Sequence, residues 1–246
     1  MLADRPVVVI TGGTRGIGLA TAELFAREGY RVAVTYVRHR KVAEKAQALL
    51  QSITEAMVFK VDVRDGPAMA QMAETVHARW GRLDVAVHNA ASGVAKPLSA
   101  VTYHHFEFTM ATNAWGLIAL AQATGPWMKE GGSLIGVSSL GSARAYENYG
   151  LVGSSKAALE SVARHLARDF GDRGVRVNVV SAGPIDTDAL RAFANREEML
   201  REFIERSPLH QPLAVEDVAE AVWFLARQRM VNAHVLVVDG GYLAMP

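Results

Sequence analysis

Val7-Val8-Val9-Ile10-Thr11-Gly12-Gly13-Thr14-Arg15-Gly16-Ile17-Gly18 is a β-branched apolar run that breaks at once into a glycine-rich loop. Leu19 to Gly29 follow with helical apolar spacing and stop on a glycine suited to a left-handed cap. An apolar run without polar alternation fits a strand buried on both faces of a parallel sheet. Strand, glycine loop and helix in this order make a phosphate site. The glycines let the backbone approach a pyrophosphate, and the helix N-terminus supplies free N–H groups and a partial positive charge. Gly12, Thr14, Arg15, Gly16, Ile17 and Gly18 are therefore assigned to a dinucleotide.

Arg31 to Val37 reads as the second strand, and its end lacks the acid that would hold an adenosine ribose 2′-hydroxyl. Val37-Arg38-His39-Arg40-Lys41 stands there instead. Arg15 and Arg38 suit a 2′-phosphate, which favours NADPH over NADH, whereas Arg40 and Lys41 read as the start of a solvated helix over 41–51. The strand Ala56 to Val61 ends in Asp62-Val63, where a carboxylate can accept from an adenine amino group. A helix over Ala68 to Arg79 leads to the strand Leu83 to Ala91, so Asn89 and Ala90 should abut the cofactor. Spacing alone leaves Asn89 open between a ribose, a backbone and a purely structural partner.

Thr102 to Met128 is long and mostly apolar, with Asn113 inside it. A polar residue there needs a partner: it kinks the helix and holds a water, or it faces a loop. His104 and His105 are neighbours that point apart on a helix, so no metal site is expected. Gly132 to Val137 is the fifth strand and delivers Ser138 and Ser139. A helix over Ser154 to Phe170, a strand over Val175 to Val180 and the loop Ser181 to Asp188 follow. Ala189 to Arg206 is charged and weakly periodic; with Pro208 and Pro212 it reads as a lid at about 188–212. Val215 to Arg227 is the last helix and Val235 to Gly241 the last strand. Alternation from end to end, without linker or repeat, predicts one α/β domain over 1–246: a doubly wound, Rossmann-type parallel sheet with helices on both faces.

Composition narrows the function. Lys and Arg number 26 against 25 Asp and Glu, a balance that gives no basic face for nucleic acid. No apolar run approaches the ~20 residues of a membrane span, and the rapid entry into a strand leaves no room for a secretory signal, so a cytoplasmic protein is expected. The absence of cysteine removes disulfides and thiolate metal ligands.

Chemistry concentrates in Ala145-Tyr146-Glu147-Asn148-Tyr149-Gly150-Leu151-Val152-Gly153-Ser154-Ser155-Lys156, a polar loop running into a helix. A tyrosine and a lysine there can project toward one point, and the lysine charge should pull the phenol pKa down toward working pH.

Taken together, Thr11–Gly18, Asp62-Val63, Asn89-Ala90-Ala91, Asn113, Ser139, Lys156, Pro184 and Val238-Asp239-Gly240-Gly241 resemble the short-chain dehydrogenase/reductase superfamily over nearly the whole chain. Most of that family places its tyrosine four positions before the lysine; here Val152 stands there, and the tyrosine is Tyr149, as Tyr-x6-Lys. That spacing is similar to enoyl-acyl-carrier-protein reductases. The compact glycine motif, Ser139, and Ile185-Asp186-Thr187-Asp188-Ala189-Leu190 resemble the NADPH-dependent type III enzymes more than type I. The resemblance implies reduction of the carbon–carbon double bond of an enoyl thioester on acyl carrier protein or coenzyme A, by a homotetramer or homodimer. It implies Tyr149 as proton donor, Lys156 on the nicotinamide ribose, Ser139 as a second donor or positioning group, and Asn113 tying a water to Lys156. Gly183, Pro184, Ile185 and Thr187 would brace the carboxamide and diphosphate. Arg191, Arg196 and Arg201 are candidates to meet an acidic carrier, although a solvated face reads as well. Two rivals stand beside this reading: reduction of a 3-oxoacyl thioester or other ketone, and an inactive nucleotide sensor or scaffold.

Overall fold

The structure is a computed structural model that describes residues 5–188, 190–193 and 195–245. Its centre is one parallel sheet of seven strands: β1 (Val7–Thr11), β2 (Arg31–Tyr36), β3 (Ala56–Lys60), β4 (Leu83–His88), β5 (Met128–Ser139), β6 (Arg176–Ala182) and β7 (Val235–Val238). The order is β3-β2-β1-β4-β5-β6-β7, so the chain reverses its winding between β1 and β4. Ligands of such sheets sit in the crevice at that reversal, beyond the carboxyl ends of the strands. Thr11 pairs with His88 there.

Strand periodicity of two divides β1 between two cores. Val7 and Val9 pack with Leu83, Leu120, Leu134 and Leu159 on one face. Val8 and Ile10 pack with Phe25, Val34, Val222 and Leu225 on the other. The first face carries α3 (Gly66–Trp80), α5 (Gly116–Thr124) and α6 (Gly150–Gly171); the second carries α1 (Gly16–Arg27) and α8 (Val215–Arg227), with α2 (Arg40–Gln51) at the β3 end. All four apolar residues of β1 are fully buried, as a strand covered on both sides must be.

Strand and helix ends shift by a few residues throughout, and three differences from the sequence reading bear on the site. The segment 102–128 is not one helix: α4 (Tyr103–Met110) passes into a π-helical turn at Ala111–Trp115 before α5, and Gly125-Pro126 begins a 3-10 turn. Proline lacks the N–H that would continue α5, so Met128 already belongs to β5. Helix α6 starts at Gly150 rather than at Ser154, because the Gly153 N–H reaches the Tyr149 carbonyl at 2.8 Å. The expected lid is a 3-10 turn at Leu190–Ala192 followed by α7 (Arg196–Arg206), and Phe203 of α7 is buried against Leu140 and Tyr242. Ala189 and Ala194 of that segment lie outside the described residues. No helix among the described residues is long and apolar enough to cross a membrane.

Candidate active site

The glycine loop lies at the sheet reversal and is locked from below. Asn89 Nδ2 donates to the carbonyls of Thr11 (3.1 Å) and Gly12 (3.0 Å), so Asn89 takes its backbone partner. Thr35 Oγ1 accepts from Gly12 N at 3.3 Å, a support that the sequence reading missed because Thr35 sits in an ordinary β-branched strand. A Cβ on Gly18 would stand 2.4 Å from the Gly12 carbonyl oxygen, so the loop closes only on glycine. The first turn of α1 carries no acidic side chain, and no side chain caps its N–H groups. Those donors and the glycine cradle fit a pyrophosphate.

Other predicted cofactor residues gather around the loop. Thr187 stands beside Gly16, and Arg15 pairs with Asp188 at 3.1 Å. Gly183 N donates to the Val238 carbonyl and so extends the β6–β7 pairing by one residue, Pro184 is half-buried and Ile185 is buried. Asp62 is gripped by Arg64 through its Nη2 (2.6 Å) and Nε (3.0 Å). That bond and the Arg64 and Arg38 charges hold its carboxyl below the usual carboxylate range. Arg64 also covers the Phe108 ring at 4.3 Å. The expected acceptor for an adenine amino group thus already has a cationic partner. Val63 is core, and Ala90 N donates to Thr11 Oγ1. Arg38 is exposed at the end of β2.

The catalytic candidates come from β5 and α6 in register. Three consecutive residues of β5 hold two residues of α6 and its N-cap: Lys156 Nζ donates to the Val137 carbonyl at 2.7 Å, Ser138 Oγ to Glu160 Oε1 at 2.6 Å, and Ser139 Oγ lies 3.0 Å from Tyr149 Oη. Seven residues are nearly two helical turns, so Tyr149 at the N-cap and Lys156 project from one face. Gly141 makes room for the phenol, since a Cβ there would lie 2.4 Å from Tyr149 Cε1. The Phe193 ring covers it at 5.5 Å. Val152 is buried in contact with Gly93, where a Cβ would meet Val152 Cγ2 at 2.2 Å.

Electrostatics corrects the expected tuning of the phenol. Burial raises the Tyr149 pKa, and the Ser139 hydrogen bond opposes it without reversing the direction. Lys156 does not pull it down. The lysine itself is lowered by burial to about 8, against the Glu160 charge, which raises it. Tyr146, the other tyrosine of the segment, is raised by burial too; it packs against Leu140 and Phe203 rather than facing Ser139.

Asn113 breaks the helix and faces a loop, as expected of a buried asparagine in an apolar segment. It is fully buried in the π-helical turn, and its amide donates to Ser92 O (2.9 Å) and Ser155 Oγ (2.8 Å) while accepting from Ser92 N (2.8 Å). Its side chain therefore ties the loop after β4 to α6. Its carbonyl faces His88 Nε2 at 3.0 Å. His105 Nδ1 accepts from Thr102 N in the cap of α4. Arg191 pairs with Asp188, Arg196 with Asp186 and Arg201 with Glu205, so each candidate carrier contact already has an acidic partner within the chain.

A parallel sheet with this reversal, a glycine loop at its crevice, and a Ser–Tyr–Lys cluster on β5 and α6 define an NAD(P)H-dependent oxidoreductase of the short-chain dehydrogenase/reductase type. Residues 12–243 match the family model described as enoyl-(acyl carrier protein) reductase, and the chain belongs to that family. It is 35% identical to 1-cyclohexenylcarbonyl-CoA reductase of Streptomyces collinus over 96% of this chain and 86% of that protein. It is 29% identical to an enoyl-[acyl-carrier-protein] reductase [NADH] of Rhizobium meliloti, over 98% and 92%. Among solved structures, the Aquifex aeolicus enoyl-[acyl-carrier-protein] reductase (NADH) superposes with a TM-score of 0.91 at 28% identity, covering 100% of this chain and 99% of that one. A blue fluorescent protein from a metagenomic library, in complex with NADPH, superposes with a TM-score of 0.89 at 34% identity, covering 98% and 99%.

Proposed function

We propose that this protein uses NADPH to reduce the carbon–carbon double bond of an enoyl thioester. The observation that carries the reading is the phenol displaced to Tyr149: its hydroxyl meets Ser139 at 3.0 Å while Val152, at the usual tyrosine position, is packed away against Gly93. The nicotinamide supplies a hydride to the β-carbon when it is bound. Tyr149, kept protonated by its burial, donates a hydrogen bond to the thioester oxygen as negative charge develops there. Ser139 orients that hydroxyl or adds a second donor. Lys156, mostly an ammonium at neutral pH, offers its remaining N–H groups to the nicotinamide ribose. Asn113 sets the loop after β4 against α6, which fixes the wall on which the acyl chain would lie.

The preference for NADPH rests on Arg38 and on the absence of an acid in Val37-Arg38-His39-Arg40-Lys41; the Rhizobium and Aquifex relatives carry NADH in their names, so this chain departs from them in cofactor. Arg15, held by Asp188, would complete the 2′-phosphate site by releasing that partner. We further propose a homodimer or homotetramer that covers Tyr103, Phe106 and Trp115, which are 78%, 48% and 40% exposed, a state that light scattering would report. The carrier is acyl carrier protein or coenzyme A.

The deciding experiment follows loss of NADPH absorbance with crotonyl and acetoacetyl thioesters in parallel. Oxidation with the crotonyl substrate is expected. Oxidation with acetoacetyl thioester alone makes the protein a ketone reductase, and NADPH binding without turnover of either leaves a nucleotide sensor.

A further inference from the structure

His88 is fully buried at the end of β4, immediately before Asn89, and the chemistry above does not use it. Its surroundings determine where its proton sits. Thr11 Oγ1 accepts from two backbone donors, Asn89 N and Ala90 N, each at 3.1 Å. A hydroxyl has two lone pairs and one hydrogen, so the hydrogen is what remains for His88 Nδ1 at 3.2 Å. Nδ1 is then an acceptor, and the ring proton lies on Nε2, which donates to the Asn113 carbonyl at 3.0 Å. The opposite tautomer would bring a third donor to the Thr11 hydroxyl oxygen and set the Nε2 lone pair against the Asn113 carbonyl oxygen.

Both ends of this bridge are functional. Thr11 closes the glycine loop, and Asn113 reaches Ser155, the neighbour of Lys156 on α6. Gly116 admits the imidazole, since a Cβ there would stand 2.5 Å from His88 Cε1. Burial and the nearby Lys156 charge lower the His88 pKa to about 3, so the ring is neutral at physiological pH. Among the described residues Lys156 of α6 is the charged group that acts on His88, and Glu160 acts in turn on Lys156; Asn113 on the π-helical turn and Thr11 on β1 close the pocket.

We propose that His88 is a positioning residue: its Nε2-protonated ring splints the cofactor loop to the π-helical turn and, through Asn113, to the helix that carries Lys156. The inference uses the nicotinamide-site reading only for its binding readout. Two measurements test it. Nitrogen-15 NMR of the cofactor-free wild-type protein, with the His88 signals assigned by their loss in His88→Gln, should show an Nε2–H tautomer unchanged from about pH 5.5 to 8. An Nδ1–H tautomer, or titration within that range, overturns the proposal.

The second compares His88→Gln with His88→Leu. Glutamine presents one acceptor and one donor, as this tautomer does, whereas leucine only fills space. NADPH affinity, read from the change in nicotinamide fluorescence, should fall about 10-fold or more in His88→Leu and stay within about threefold of wild type in His88→Gln. Equal affinities in the two variants overturn the proposal. Should His88→Leu not fold, the tautomer and His88→Gln measurements decide. A wild-type protein that binds neither NADPH nor NADH defeats the nicotinamide-site reading, while the tautomer still judges the splint.

Discussion

Val152 stands four residues before Lys156, and its isopropyl group lies against the Gly93 backbone with no room for a ring. Moving the tyrosine three residues earlier, to the N-cap of α6, turns it from that wall toward Ser139. The double variant Tyr149→Phe/Val152→Tyr is therefore expected to remain as inactive as Tyr149→Phe in the enoyl assay. Restored turnover would show that the helix accepts either position. A second expectation concerns Lys156. With its pKa near 8, the ammonium is present below that pH and lost above it, so turnover should decline as pH rises through about 8. Glu160 raises that pKa, and Glu160→Gln should move the alkaline limb to lower pH, as initial rates against pH would show. An unmoved limb assigns the titration to another group.

At the scale of elements, β5 and α6 work as a matched pair, because Val137, Ser138 and Ser139 hold Lys156, Glu160 and Tyr149 in turn. The glycine loop depends on close contact in the same way. Gly18→Ala forces a Cβ against the Gly12 carbonyl and should weaken NADPH binding about 10-fold or more, read by nicotinamide fluorescence; unchanged affinity would mean that the loop is not the pyrophosphate site. Much of this frame was legible from local pattern: Val7–Ile10, the glycine loop and the apolar spacing of α1 announce themselves within twenty-odd contiguous residues. The π-helical turn at Ala111–Trp115 was not, because it arises where buried partners from β4 and α6 claim Asn113. Direction of titration was hidden for a similar reason. Tyr149 looks tunable by Lys156 along the chain, yet burial dominates its pKa and the lysine is directed to the Val137 carbonyl. Thr35, His88 and Glu160 carry no local signature; each acquires its role from a strand or helix distant in sequence.

For the whole molecule, the reversal of the sheet between β1 and β4 brings Thr11, His88 and Asn89 to one crevice, and the same buried network should mark the stability of the fold. The unfolded chain protonates His88 near 6.5, whereas the folded chain refuses that proton until about 3. Its contribution to stability is thus complete above 6.5 and is lost as pH falls through that window. Thermal unfolding from pH 7 to 4 should show a shallower decline in His88→Gln than in wild type, and identical slopes would contradict it. Cofactor choice belongs to this scale too: Arg38→Asp should shift the kcat/KM ratio from NADPH toward NADH relative to wild type, and an unaltered ratio would mean that Arg38 does not meet a 2′-phosphate.

The central claim is that the Tyr149 hydroxyl serves the reacting thioester, and kinetics of Tyr149→Phe with NADPH and crotonyl thioester address it most directly. The account predicts a fall in kcat of about 10²-fold or more with NADPH affinity nearly unchanged. A variant that turns over at close to the wild-type rate would contradict it.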